Sequence, residues 1–101
     1  MYLPCRAQNG YIQRDGTLLR DGFGRALLLR GLNYVNKDKA HHHLNLRRDT
    51  AFIQMKNWGY NAVRLGVNWA ALEPSPNEYD QHYLSNLDSL LRYAMQHGIY
   101  V

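Results

Sequence analysis

The chain has 101 residues, 46% of them apolar and 20% charged, which is the balance of an ordinary globular domain and not of a disordered tail. No apolar run approaches the ~20 residues that a spanning helix requires, so stable membrane insertion is not expected. The net charge of +4 comes from 12 basic against 8 acidic residues. The basic residues are scattered, with "LRR" at 46–48 the densest run, whereas a nucleic-acid surface needs a clustered face. Cys5 is the only cysteine, which leaves no internal disulfide and no thiolate metal cluster. The opening "MYLPCRAQNG" lacks a charged lead followed by an apolar core, so no secretory signal is expected in it, and the compartment stays unassigned.

In chain order, Asp15-Gly16 and Asp21-Gly22 bracket "TLLR" and predict short strands joined by tight turns, an N-terminal hairpin over about 11–30. "ALLLRGLNYV", 26–35, reads as a strand buried on both faces. "NKDKAHHHLN" is a polar loop. The period then becomes helical, with Ala51, Phe52, Met55 and Trp58 on one face and Gly59 as the terminating glycine. "NAVRLGV" is a second strand, and "AALEPSPNEYD" a proline-containing loop. Asp80 is placed to cap a second helix whose buried stripe is Leu84, Leu87, Leu91 and Ala94; Gly98 ends it, and "IYV" opens a third strand. Such alternation predicts an α/β fold with a parallel sheet and right-handed crossovers. Three strands and two helices would leave much apolar surface uncovered. The expectation is therefore that 1–101 is the incomplete N-terminal part of a larger domain.

Arg64 stands inside the second strand. Alternation puts Val63, Leu65 and Val67 on one face and Ala62, Arg64 and Gly66 on the other. The first set suits packing against helices. The second, a long cation between small neighbours, suits the interior of a closed barrel. A charge held inside a protein costs several kcal/mol unless it is paired, and arginine's planar fork fits a carboxylate gripped in two places. One partner within reach is Glu73, through a salt bridge at the rim; the other reading is a catalytic carboxylate from elsewhere, positioned and kept ionised by Arg64.

The remaining candidates divide in the same way. Glu73 and Glu78 are the only glutamates, but two acids in one loop with Pro74 and Pro76 make a poorly preorganised catalytic pair. His41, His42 and His43 are adjacent in sequence, so their side chains diverge and no metal site is expected. Trp69 ends the second strand as a sugar-stacking platform or as buried area. Trp58, on the helical stripe, is expected in the core.

"GRALLLRGLNYVNK", "WGYNAVRLGVNWAALEPSPNEYD" and "YLSNLDSLLRYAMQHGIYV" together resemble the start of glycoside hydrolase family 5, in its endoglycosylceramidase-like branch. The resemblance implies a TIM (β/α)8 barrel, here a hairpin followed by β-α-β-α and the start of a third strand. It implies a retaining β-glycosidase acting on oligosaccharides or glycolipids without metal or cofactor. Two glutamates would flank the scissile bond, about 5–5.5 Å apart. In the family they close the fourth and seventh strands, so neither is expected in this segment, which should be inactive alone. Arg64 matches the arginine that hydrogen-bonds the nucleophile, and Asn33 the asparagine closing the first strand. Lys37 matches a lysine that binds the sugar beside the cleavage point, although Tyr34 and Asn36 depart from the apolar residues usual there and Lys39 could substitute. Two other readings stay open: a complete small basic α/β module binding nucleic acid or an acidic partner, and a non-catalytic glycan-binding remnant.

Overall fold

A computed structural model describes residues 11–44 and 48–101. Cys5 and most of the basic run at 46–48 lie outside the described residues. Strands β1 (Gln13–Asp15) and β2 (Leu18–Arg20) pair antiparallel, with Asp15 opposite Leu18. That register leaves a two-residue loop in which Gly16 adopts φ +61°, the left-handed value such a loop demands.

The second Asp-Gly pair works by other means than expected. Gly24, not Gly22, takes the left-handed conformation (φ +79°), and Asp21 supplies the organisation. Its side chain is 5% exposed and accepts hydrogen bonds from the Phe23 N–H (2.9 Å), the Arg25 N–H (3.0 Å) and the Arg25 guanidinium (2.7 Å). Burial pushes the Asp21 carboxyl up, but the bonds from Arg25 and Phe23 outweigh it and hold the group below its ordinary value. A carboxyl lowered on folding contributes stability above its unfolded pKa of about 3.9 and loses it as pH falls through the folded value. The turn at 21–25 is therefore expected to loosen only in acid below about pH 3.9, seen as loss of amide protection at Phe23 and Arg25, and Asp21→Asn should abolish that acid step.

The apolar run 26–35 is divided between two sheets. Ala26 bridges Arg20 and the Leu27 N–H donates to the Leu19 carbonyl, extending the hairpin. Strand β3 starts only at Gly31 and runs to Tyr34. Between them Leu28 and Leu29 are 79% and 45% exposed, so the expectation of one strand buried on both faces fails there. Asn61 fixes the bend: its amide donates to the Leu28 carbonyl (2.8 Å) and accepts the Arg30 N–H (2.7 Å).

Strand β4 (Ala62–Leu65) pairs parallel with β3, with Gly31 opposite Ala62 and Asn33 opposite Arg64. Helix α1 (Arg48–Asn57) makes the crossover. A Cβ on Gly31 would fall 1.9 Å from the Ala62 carbonyl oxygen, so only glycine fits in this pairing. On the far side of β4, the Val63 N–H donates to Tyr100 O and the Tyr100 N–H to Asn61 O, both at 2.8 Å. The third strand predicted from "IYV" thus begins in parallel register beside β4.

The core lies between the sheet and two helices. Ala51, Phe52 and Met55 of α1 meet Leu90 and Ala94 of α3 (Gln81–Gln96), with Val63 and Ile99 beneath. Phe52, Leu90 and Ile99 are fully buried, and Tyr34 stands edge-on to Phe52 at 5.9 Å between ring centroids. Two expectations need correction. Trp58 is 60% exposed and stacks edge-on with Tyr60; α1 has ended at Asn57, and no described element covers that corner. The buried stripe of α3 is Tyr83, Leu90 and Ala94, with Leu87 and Leu91 half-buried and Leu84 exposed. Tyr83 takes the inner position because its hydroxyl accepts the Asn68 N–H (2.9 Å) while its ring fills area.

Asp80 caps α3 as its sequence position predicts, one carboxylate oxygen accepting the N–H groups of His82 (2.9 Å) and Tyr83 (3.1 Å). Asp80→Ala is expected to cost about 1 kcal/mol, read as a lower unfolding midpoint. At the opposite end, His97 meets Asp49 of α1 (Nε2 to Oδ1, 2.6 Å) and ties the two helices together. No described helix is long and apolar enough to cross a membrane.

Candidate functional site

Period-two alternation sorts β3 and β4 into two faces. Val63 is buried and Leu32, Tyr34 and Leu65 are partly buried, all against the helical layer. Asn33 and Arg64, direct cross-strand partners, therefore occupy the face turned away from the helices. Both are exposed, and no described element covers that face. The direction expected for Arg64 is met; its expected burial is not.

Around this pair lies an open concavity of about 400 Å³, lined by Asn33, Val35, Lys37, Arg64, Gly66 and Val67 among others. A neighbouring hollow of about 370 Å³, lined by Leu29, Gly31 and Ala62, shares Asn33 and Arg64 with it. Gly66 shapes the upper one: a Cβ there would sit 2.4 Å from Val35 Cβ, so the glycine lets the chains after the two strands close on each other.

Among the described residues Arg64 makes no hydrogen bond or ion pair. The Arg64–Glu73 bridge is not formed: Glu73 closes the short helix α2 (Trp69–Leu72), donating its N–H to Trp69 O (2.8 Å) and receiving the indole N–H at 3.5 Å. Glu78 sits in the turn that follows, its N–H on the Ser75 carbonyl (2.9 Å) with Asn77 at φ +63°. Helix α2 was not expected from the proline-rich stretch. Its signal is Asn68, whose side chain accepts the Ala71 N–H in N-cap geometry (3.2 Å).

Lys37 lies on the rim with its side chain exposed. Its loop is organised by Asn36, one of the two departures from the family pattern, which donates to the Leu44 carbonyl (2.6 Å) and accepts the Asp38 N–H (2.9 Å). Trp69 is 77% exposed at the start of α2, so it is not buried for its area. A 3-10 turn at Lys39–His41 carries the histidines; Asp38 caps it and contacts His41 Nδ1. Hydrogen bonds from the His41 ring and the Ala40 N–H hold the Asp38 carboxyl below its ordinary value. Among the described residues no three His, Cys, Asp or Glu side chains are grouped so as to hold a metal ion.

Arg64, Asn33 and Lys37 thus line one hollow at the C-terminal ends of two parallel strands; Trp69, expected to end the second strand, instead opens α2 beyond the end of β4. The family described as Cellulase (glycosyl hydrolase family 5) matches residues 23–101. Endoglycoceramidase I of Rhodococcus hoagii (strain 103S) is 35% identical over 91 residues, covering 89% of this chain and 18% of that protein. A glucosylceramidase of Aspergillus fumigatus is 29% identical, covering 86% of this chain and 15% of its own length. In three dimensions the crystal structure of endogalactoceramidase superposes with a TM-score of 0.69 at 29% identity, over 88% of this chain and 21% of that one. The chain spans about a fifth or less of the relatives it matches. The family and the structural likeness imply a TIM-barrel fold, in keeping with the α/β content observed. The chain belongs to glycosyl hydrolase family 5, in its endoglycoceramidase-like branch.

Proposed function

We propose that this chain is the N-terminal βα segment of a retaining β-glycosidase that acts on glycolipids or oligosaccharides, with β3 and β4 as the first two strands of its barrel. One observation carries the reading: Asn33 and Arg64 pair across two parallel strands on the face away from the helices, beside Lys37. In barrels of this kind the active site is built at the C-terminal strand ends. Arg64 acts as a positioning residue. Its guanidinium donates two hydrogen bonds to the nucleophilic glutamate and keeps that group ionised for attack on the anomeric carbon. The nucleophile and the acid/base glutamate come from polypeptide outside these residues. Asn33 and Lys37 hydrogen-bond the sugar next to the cleaved bond, and Trp69 offers its indole face to a sugar ring at the rim.

The test is hydrolysis by the complete protein of a β-linked glycosylceramide, with configuration at the released sugar followed by NMR. Release of the β-anomer first is the expected result; release of the α-anomer, or no hydrolysis of any β-glycoside, would overturn the assignment. The 101-residue chain alone should show no turnover and, with Leu28, Val35 and Val67 exposed, no cooperative melt at an ordinary midpoint.

A further inference from the structure

Helix α2 is a single turn of four residues, none of them buried. A helix so short is marginal by itself, and without a buried face packing does not hold it in place. It carries Trp69, which is 77% exposed. What fixes this turn is therefore the set of hydrogen bonds at its two ends.

Both ends are fastened to the start of α3. At the far end the Asp80 N–H donates to the Leu72 carbonyl (2.9 Å). At the near end the Asn68 N–H donates to the hydroxyl of Tyr83 (2.9 Å). Asn68 is the node between them. Its side chain accepts the Ala71 N–H and its carbonyl the Leu72 N–H (3.0 Å), while its chain neighbours are Trp69 and Val67, the latter lining the hollow around Arg64. Tyr83 itself has little freedom: it is 3% exposed, and the Asp80 carboxylate accepts its N–H (3.1 Å). The phenol is thus a strut from the helical layer to the rim. One oxygen sets where α2 begins, and with it where the indole stands.

We propose that Tyr83 is a positioning residue for glycan binding, its hydroxyl holding α2 through Asn68 so that the Trp69 indole is set to receive a sugar ring. The proposal rests on the reading of Trp69 as a sugar platform in a glycosidase, and adds a buried residue that touches no substrate yet sets affinity for it. Tyr83→Phe keeps the ring and its buried area and removes only the acceptor. The Asn68 N–H must then find water, and α2, with no buried residue to resist, shifts to let it.

The experiment pairs kinetics of the complete protein on lactosylceramide in detergent micelles with fluorine NMR of the same protein labelled with fluorotryptophan, the Trp69 line being assigned by its loss in Trp69→Phe. Tyr83→Phe should raise KM about three- to tenfold with kcat within about twofold, the split expected when binding and not chemistry is weakened. Trp69→Ala should raise KM at least as much. Adding Tyr83→Phe to it should raise KM no further, because the hydroxyl acts through the indole. The Trp69 line should shift or broaden in Tyr83→Phe. An unchanged KM or an unmoved Trp69 line in Tyr83→Phe would overturn the proposal. So would losses that add in the double variant, a fall in kcat with KM unchanged, or a Trp69→Ala protein with the parent's KM. If the complete protein hydrolyses no β-glycoside, the glycosidase reading fails separately, and the Trp69 line still decides whether Tyr83 holds the indole in place.

Discussion

Arg64→Ala in the complete glycosidase is expected to lower kcat by about 10²–10³-fold with KM changed little, because it removes the group that orients the nucleophile, keeps it ionised and stabilises its charge as it leaves the glycosyl-enzyme. Arg64→Lys should recover only part of that loss, since an ammonium cannot grip both carboxylate oxygens at once. The pH–rate profile supplies a readout that a purely structural role would not move. Without the guanidinium the nucleophile's pKa rises, so the acidic limb of kcat/KM should shift upward. A large drop in melting temperature with an unshifted acidic limb would make Arg64 a structural residue and contradict the account.

The largest effect on folding is expected at Phe52. Its ring is 0% exposed, lies between α1, α3 and the sheet, and meets Tyr34 edge-on. Phe52→Ala should cost about 3–5 kcal/mol, from lost transfer energy plus the cavity left behind. Against a typical total of about 5–15 kcal/mol, that brings the protein near unfolding. Ile53, the next residue, is 42% exposed, and Ile53→Ala should cost far less. Denaturant midpoints of the two variants, measured side by side in the complete protein, check the helix face directly. Equal losses would mean that α1 is rotated from the position described.

Much of this architecture was legible in the residues. The period of 3.6 located α1, Asp80 marked the start of α3, and glycines 59 and 98, both at positive φ, marked the helix ends. Alternation in "AVRLGV" separated Val63 from Arg64 correctly, because the sheet is covered by helices on one side. Where the reading failed, tertiary context had overridden local pattern. The leucine run at 27–29 was split by the clasp of Asn61, a residue about thirty positions away. Trp58 fits a helical stripe, but the helix stops before it and nothing described packs on that corner. Tyr83 displaced Leu84 because a hydroxyl was needed at the Asn68 N–H as well as apolar area. In the candidate site, alternation placed Val63, Arg64 and Leu65 correctly but not Val67, which was expected to face the helices: β4 ends at Leu65, and Val67 is exposed beside the hollow around Arg64. The loop geometry that seats Lys37 and the histidines depends on Asn36 and Asp38, whose hydrogen bonds no periodicity announces.

The most direct measurement is a crystal structure of the complete protein trapped with a 2-fluoro glycoside on its nucleophile. The account predicts the Arg64 guanidinium within about 3 Å of that glutamate's carboxyl group, with Asn33 and Lys37 on the sugar. A guanidinium left in solvent, or turned to the helical layer beside Val63, would contradict it.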